Sequence, residues 1–169
     1  MFIDAQGSQW HDPGMSDTIS VLNRRQMLGL AASGVAVASV PALAAAPPAM
    51  VTWRDPGCGC CTKWVDAMRK AGFRVTMNEA ADMAAVKKRL KVPASVQSCH
   101  TTLVGGLVVE GHVPAPAIGT LLAKRPKGVL GIAAPGMPRG SPGMEMADGS
   151  KDPLNLTLFD AAGRTRAFG

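Results

Sequence analysis

Thr101-Thr102-Leu103-Val104-Gly105-Gly106-Leu107-Val108-Val109-Glu110 constrains the fold more tightly than any other segment of the chain. Two runs of β-favouring residues meet at Gly-Gly. Both central positions of a type I′ turn need positive φ, which glycine adopts without steric cost. The segment predicts a hairpin with a two-residue loop in which Val104 faces Leu107. Carried outward, that register sets Cys99 opposite His112, and directly opposed side chains have Cβ atoms about 4.5–5.5 Å apart on one face. Strand alternation sends His100 to the other face.

The flanking segments supply the rest of an α/β domain. Residues 50–53 read as a strand ended by the turn Asp55-Pro56-Gly57. A helix is predicted from Thr62, with Trp64, Val65, Met68 and Ala71 at helical spacing and Gly72 closing it. Residues 73–77 alternate apolar and polar as a second strand. Asp82 caps a second helix that runs to Leu90, and Pro93 breaks the pattern. Residues 114–124 form a third helix with proline at its start. Residues 134–149 are a loop rich in Gly, Pro and Met, and Leu154, Leu156 and Leu158 alternate as a final strand. The order strand, helix, strand, helix, hairpin, helix indicates a thioredoxin-like α/β sandwich: a mixed sheet with three helices.

Cys58-Gly59-Cys60-Cys61 stands where the first strand turns into the first helix. The amide groups and dipole of a helix start favour negative charge and so lower thiol pKa values. Cys58 and Cys61 form a C-x-x-C pair suited to thiol–disulfide exchange. Cys60 separates that reading from another, because a dithiol enzyme needs two cysteines and a third invites mispairing. Three thiolates on one turn suit a soft ion such as Cu(I), which they can bridge. Zinc prefers four well-spread tetrahedral ligands, commonly as two C-x-x-C pairs. Cys99 and His112 bring a further thiolate and an imidazole. His100 and the repeated Pro-Gly-Met on the loop, with Met137 and Met144, are secondary candidates. Thioether sulfur is a soft ligand, but methionine also fills gaps, so Met137 and Met144 read either as ligands or as a lid over the cysteines.

The first 44 residues differ from the rest. Asn23-Arg24-Arg25-Gln26-Met27-Leu28, an apolar run over residues 28–40 and the small residues around Ala42–Ala46 have the layout of a cleavable signal peptide, with paired arginines of the twin-arginine type. The apolar run is short and diluted by Gly29, Ser33 and Gly34, so no stable membrane anchor is expected after cleavage. Met15 as well as Met1 is a candidate start. Residues 1–44 are read as extension and signal, and 45–169 as one folded domain. All four cysteines lie in that domain. From Ala45 onward sixteen Lys and Arg face nine Asp and Glu. These basic residues are scattered, and their one run, Lys87-Lys88-Arg89-Lys91, reads as a solvated helix face. No nucleic-acid partner is expected.

Four motifs in order, Asp55-Pro56-Gly57-Cys58-Gly59-Cys60-Cys61, Ser98-Cys99-His100-Thr101, Glu110-Gly111-His112-Val113-Pro114 and Pro135-Gly136-Met137-Pro138 with Ser141-Pro142-Gly143-Met144-Glu145, resemble a family of small periplasmic metal-binding proteins that includes the copper-resistance protein CopG. The resemblance spans residues 50–168. It implies a thioredoxin-like fold, copper bound by the C-G-C-C turn as a cysteine-bridged multinuclear Cu(I) cluster, and a periplasmic role in copper handling or resistance, with Cu(I)/Cu(II) cycling compatible with it. Copper ions and other periplasmic copper-handling proteins are the partners it implies. The alternatives left by the residues are a thiol–disulfide oxidoreductase using Cys58 and Cys61, and a structural zinc module.

Overall fold

The hairpin lies in the middle of a mixed sheet. The structure, a computed structural model, describes residues 48–169, so the signal-peptide and start-site expectations lie outside the described residues. In chain order the elements are β1 (Met50–Arg54), α1 (Gly59–Lys70), β2 (Val75–Glu79), α2 (Met83–Arg89), a 3-10 turn (Ala94–Val96), β3 (His100–Val104), β4 (Leu107–Glu110), α3 (Ala115–Lys124), β5 (Gly131–Ala133), β6 (Thr157–Phe159) and β7 (Thr165–Ala167). The sheet order is β2-β1-β3-β4-β5-β6-β7. β1 runs parallel to β2 and β4 parallel to β5, while the other neighbouring pairs are antiparallel. This is a mixed α/β architecture with three α-helices, the class read from the sequence.

β3 and β4 pair from Val104↔Leu107 to Thr101↔Glu110, with φ of 52° at Gly105 and 81° at Gly106. The Arg125 guanidinium donates to the Gly105 carbonyl at 2.5 Å and ties α3 to the turn. Pleating divides the hairpin between two cores. Val104, Leu107 and Val109 join Met50 of β1, Trp64, Val65 and Met68 of α1, and Ile118 and Leu121 of α3. Val108 joins Val92, Val96, Ala133 and Phe159 on the opposite face.

Several boundaries move from their sequence positions. α1 begins at Gly59 rather than Thr62. β2 falls two residues late, at Val75–Glu79, because the chain leaves Gly72 in the left-handed region and Phe73 is spent as a core plug. The strand expected from Leu154, Leu156 and Leu158 keeps only residues 157–159 as β6, and Leu154 is exposed. β5 and β7 have three residues each, too few for a periodic signal. The basic run is not uniformly solvated either: Lys87 is buried against the sheet.

Candidate metal centre

Arg54, the last residue of β1, holds the loop that presents the cysteines. Its guanidinium donates to the carbonyls of Asp55 at 2.9 Å and Pro56 at 2.8 Å, and pairs with Glu79 of β2 at 2.7 Å. The Asp55 carboxylate accepts from the Gly57 amide at 2.8 Å, closing the turn. Cys58 is then the N-cap of α1, and Cys60 and Cys61 lie in its first turn. Cys61 points into the core, while Cys58 and Cys60 are half-buried.

The second half of the centre comes from the open end of the hairpin. The Sγ atoms of Cys58, Cys60, Cys61 and Cys99 all lie within 4.8 Å of one another. Ligand atoms of Cys99, His100 and His112 also fall within 4.8 Å of one another, so the two groups share Cys99. Cys99 Sγ is 3.1 Å from His112 Nε2 and 3.3 Å from His100 Nδ1. Cys58 and Cys61 are joined as a disulfide, and Cys60 and Cys99 are free thiols.

His100 corrects the alternation argument. Within β3, His100, Thr102 and Val104 alternate onto the α1 face, where Thr102 shares a 2.8 Å hydroxyl hydrogen bond with Thr52. Cys99 precedes the strand, and Gly111, at φ 72°, ends the alternation of β4. Cys99 and His112 are therefore released from strand parity and turn towards His100. Its ring lies 4.5 Å from the Trp64 ring and 5.0 Å from that of His112. Both imidazoles are buried.

The Pro142 carbonyl accepts a 2.8 Å hydrogen bond from His112 Nδ1. A carbonyl only accepts, so Nδ1 carries the proton and the Nε2 lone pair faces Cys99, an arrangement that prepares an imidazole to coordinate. Burial lowers the pKa of His112 below the usual 6.5, partly opposed by the Pro142 bond and the Glu145 charge. Burial, with the charges of His112 and Lys87, holds His100 well below it. Both rings are neutral at neutral pH, as metal ligands must be. Burial pushes the Cys99 thiol up to about 11, with the charge on Cys60 adding to the effect.

The methionine loop acts here mainly through its backbone. Gly143, at φ 84°, packs onto the start of α1 so closely that a Cβ would stand 2.6 Å from the Trp64 amide nitrogen. Ser98 Oγ donates to the Gly136 carbonyl. Met144 and Met146 line a surface cleft with Cys60 and Lys63, whereas Met137 is 55 % exposed. Of the sequence candidates, the structure brings Cys58, Cys60, Cys61, Cys99, His100 and His112 together, sets Met144 beside Cys60 and leaves Met137 apart; sequence reasoning did not single out Pro142 or Glu110. The repeated Pro-Gly-Met marks a turn at Pro142 but not the direction in which its carbonyl points. Glu110 accepts from Ser98 N at 2.6 Å and Thr101 Oγ1 at 2.6 Å, and pairs with Lys87. Burial pushes its carboxyl pKa up, while Lys87, Thr101 and the Ser98 amide pull it back.

The arrangement offers two chemistries. With all four thiols reduced, four sulfurs and two neutral imidazoles converge, a soft donor set suited to Cu(I). With Cys58 and Cys61 oxidised, the same turn stores two electrons' worth of oxidising capacity.

A family described as "Protein of unknown function, DUF411" matches residues 96–144, a span that takes in Cys99, His100, His112 and the loop as far as Met144. Two solved structures of the copper resistance protein CopG, forms 1 and 2, are similar to this chain at 45 % and 44 % identity, with TM-scores of 0.66 and 0.67. Each similarity covers 72 % of this chain, and 94 % and 95 % of the two CopG chains respectively. No curated protein matches it.

Proposed function

From the chain's membership of the copper-resistance family of CopG, we propose that it binds copper as Cu(I) in the periplasm and sequesters or redox-cycles it there. The family membership carries the metal's identity. The observation that carries the site is the sharing of Cys99 between the four-sulfur group and the two imidazoles. Cys58, Cys60, Cys61 and Cys99 are the thiolate ligands in this reading, and His112 and His100 complete the set. Met144, beside Cys60 in the surface cleft, is placed to receive or pass on the ion, with the exposed Met137 as an outer thioether. The thioredoxin-like reading of the fold is supported by the β2-β1-β3-β4 order, with β1 and β2 parallel and the cysteine turn between β1 and α1.

Shared thiolates bridge ions, so the site is multinuclear. Anaerobic titration of the fully reduced protein against a competing Cu(I) chelator is expected to saturate above one copper per chain. Saturation at a single ion, or preference for zinc over Cu(I), defeats this reading.

One observation favours a second reading. The Cys58–Cys61 disulfide is the oxidised form of a C-x-x-C dithiol, and a thiol–disulfide oxidoreductase would use that pair. Catalytic turnover of a peptide disulfide by the copper-free protein is its test. Copper uptake without such turnover sets it aside.

A further inference from the structure

Glu110 belongs to neither half of the donor set, yet its buried carboxylate accepts three hydrogen bonds beside it. It ends β4 and is fully buried on the sheet face opposite α1, where Lys87 of α2 meets it. One carboxylate oxygen accepts from Lys87 Nζ and, at 2.6 Å, from the Ser98 amide. The other accepts from Thr101 Oγ1 at 2.6 Å, and Lys87 Nζ also donates to that hydroxyl at 3.0 Å. A lysine and a glutamate buried together desolvate two charges, so such a pair is a poor way to gain stability. Its position suggests what it does instead.

The carboxylate bridges residues on both sides of Cys99 and His100: Ser98 just before them, Thr101 just after. Regular pairing between β3 and β4 stops at Thr101↔Glu110. Beyond it the Gly111 amide still bonds the His100 carbonyl at 2.9 Å, but neither Ser98 nor Cys99 enters the pairing of β3 with β1 or β4. Glu110 substitutes for that missing rung. Ser98 in turn fills the space over Gly111, where a Cβ would stand 2.5 Å from its Oγ, and bonds the Gly136 carbonyl of the methionine loop.

We infer that Glu110, held in place by Lys87, is a positioning residue of the metal centre: by accepting the Ser98 amide it fixes Cys99 between the cysteine turn and the two imidazoles. The inference rests on the copper-binding reading above. The shared thiolate has no strand pairing of its own, and its neighbours' bonds to this one carboxylate decide where its sulfur stands.

The test compares two variants in which the buried charge is removed from both partners. K87M/E110Q keeps a carbonyl oxygen for the Ser98 amide, and K87M/E110L fills similar volume without an acceptor. Cu(I) affinity by chelator competition and the thermal midpoint of the copper-free protein are measured for both, each also in a Cys99→Ser background. K87M/E110Q is expected to bind copper within a few-fold of the unmodified chain. K87M/E110L is expected to bind on the order of 10–100-fold more weakly, the scale of lost outer-shell support. In the Cys99→Ser background that difference should vanish, because Glu110 acts through Cys99. Equal affinities for the two variants, or the same difference with and without Cys99, would overturn the inference and leave Glu110 a structural residue. If K87M/E110L does not fold, Glu110→Asp takes its place with the same expectation: it keeps the charge beside Lys87 but withdraws the acceptor by one methylene. Failure of the unmodified chain to bind Cu(I) would instead strike the copper reading itself.

Discussion

Cys99 is the one sulfur that belongs to both groups of donors, and its surroundings dictate how it ionises. Burial and the neighbouring Cys60 raise its pKa from 9.0 to about 11. Folding therefore favours the neutral thiol. That contribution to the stability of the copper-free protein is complete below pH 9.0 and is lost as pH rises through about 11. In the copper-binding reading, the ion must displace this proton. Affinity contributed by Cys99 is thus expected to rise about tenfold per pH unit across the neutral range. Alkylation of Cys99 by iodoacetamide, followed by peptide mass spectrometry, should be slow at pH 8 and accelerate until pH reaches about 11; a rate that levels off near pH 8 would contradict the burial argument. The cysteines and His112 were legible from the sequence because thiol and imidazole have few other uses in such spacing. The Pro142 carbonyl was not, since every residue has one and only the folded turn aims it. Lys87 was misread because its partner, Glu110, is 23 residues away and a basic run ordinarily faces water.

At the scale of elements, the hairpin was the most readable part of the fold and also the place where a valid rule was carried too far. Gly105 and Gly106 fix the register, and the ladder keeps it from Val104↔Leu107 to Thr101↔Glu110. Alternation holds only as far as that ladder. Cys99 sits one residue before β3 and His112 two residues after β4, so parity no longer separates them from His100. Both imidazoles approach the same sulfur, at 3.1 and 3.3 Å. His100→Ala and His112→Ala are accordingly expected to weaken Cu(I) binding to a comparable degree, each on the order of 10–100-fold. Chelator competition on the two variants checks this: a loss confined to His112→Ala would restore the parity argument. β5 escaped the sequence reading for a different reason. Gly131-Ile132-Ala133 is buried throughout, and Gly131 is needed because a Cβ there would stand 2.2 Å from the Val108 carbonyl oxygen. Three residues chosen for close packing show no period to read.

At the scale of the whole chain, the sheet is covered on both faces by apolar clusters, and the donor residues gather at one end of its central strands. Among the described residues no helix is long and apolar enough to cross a membrane. The route to the periplasm is proposed from Arg24-Arg25 alone, and replacing both with lysine is expected to leave precursor in the cytoplasm. Cell fractionation measures it, and an unchanged periplasmic yield would assign export to the general secretory route.

The packing of Trp64 has an optical consequence. Its indole is fully buried, anchored by a 3.0 Å hydrogen bond from Nε1 to the Val113 carbonyl, and rests 4.5 Å from the His100 ring. Trp53 stands apart, half-buried beneath the Arg89 guanidinium. Of the two tryptophans among the described residues, one therefore touches the donor set directly, while the other looks towards a cation on the surface of α2. In the copper-binding reading, the emission of Trp64 is expected to gauge occupancy at the imidazole end of the centre in the unlabelled protein.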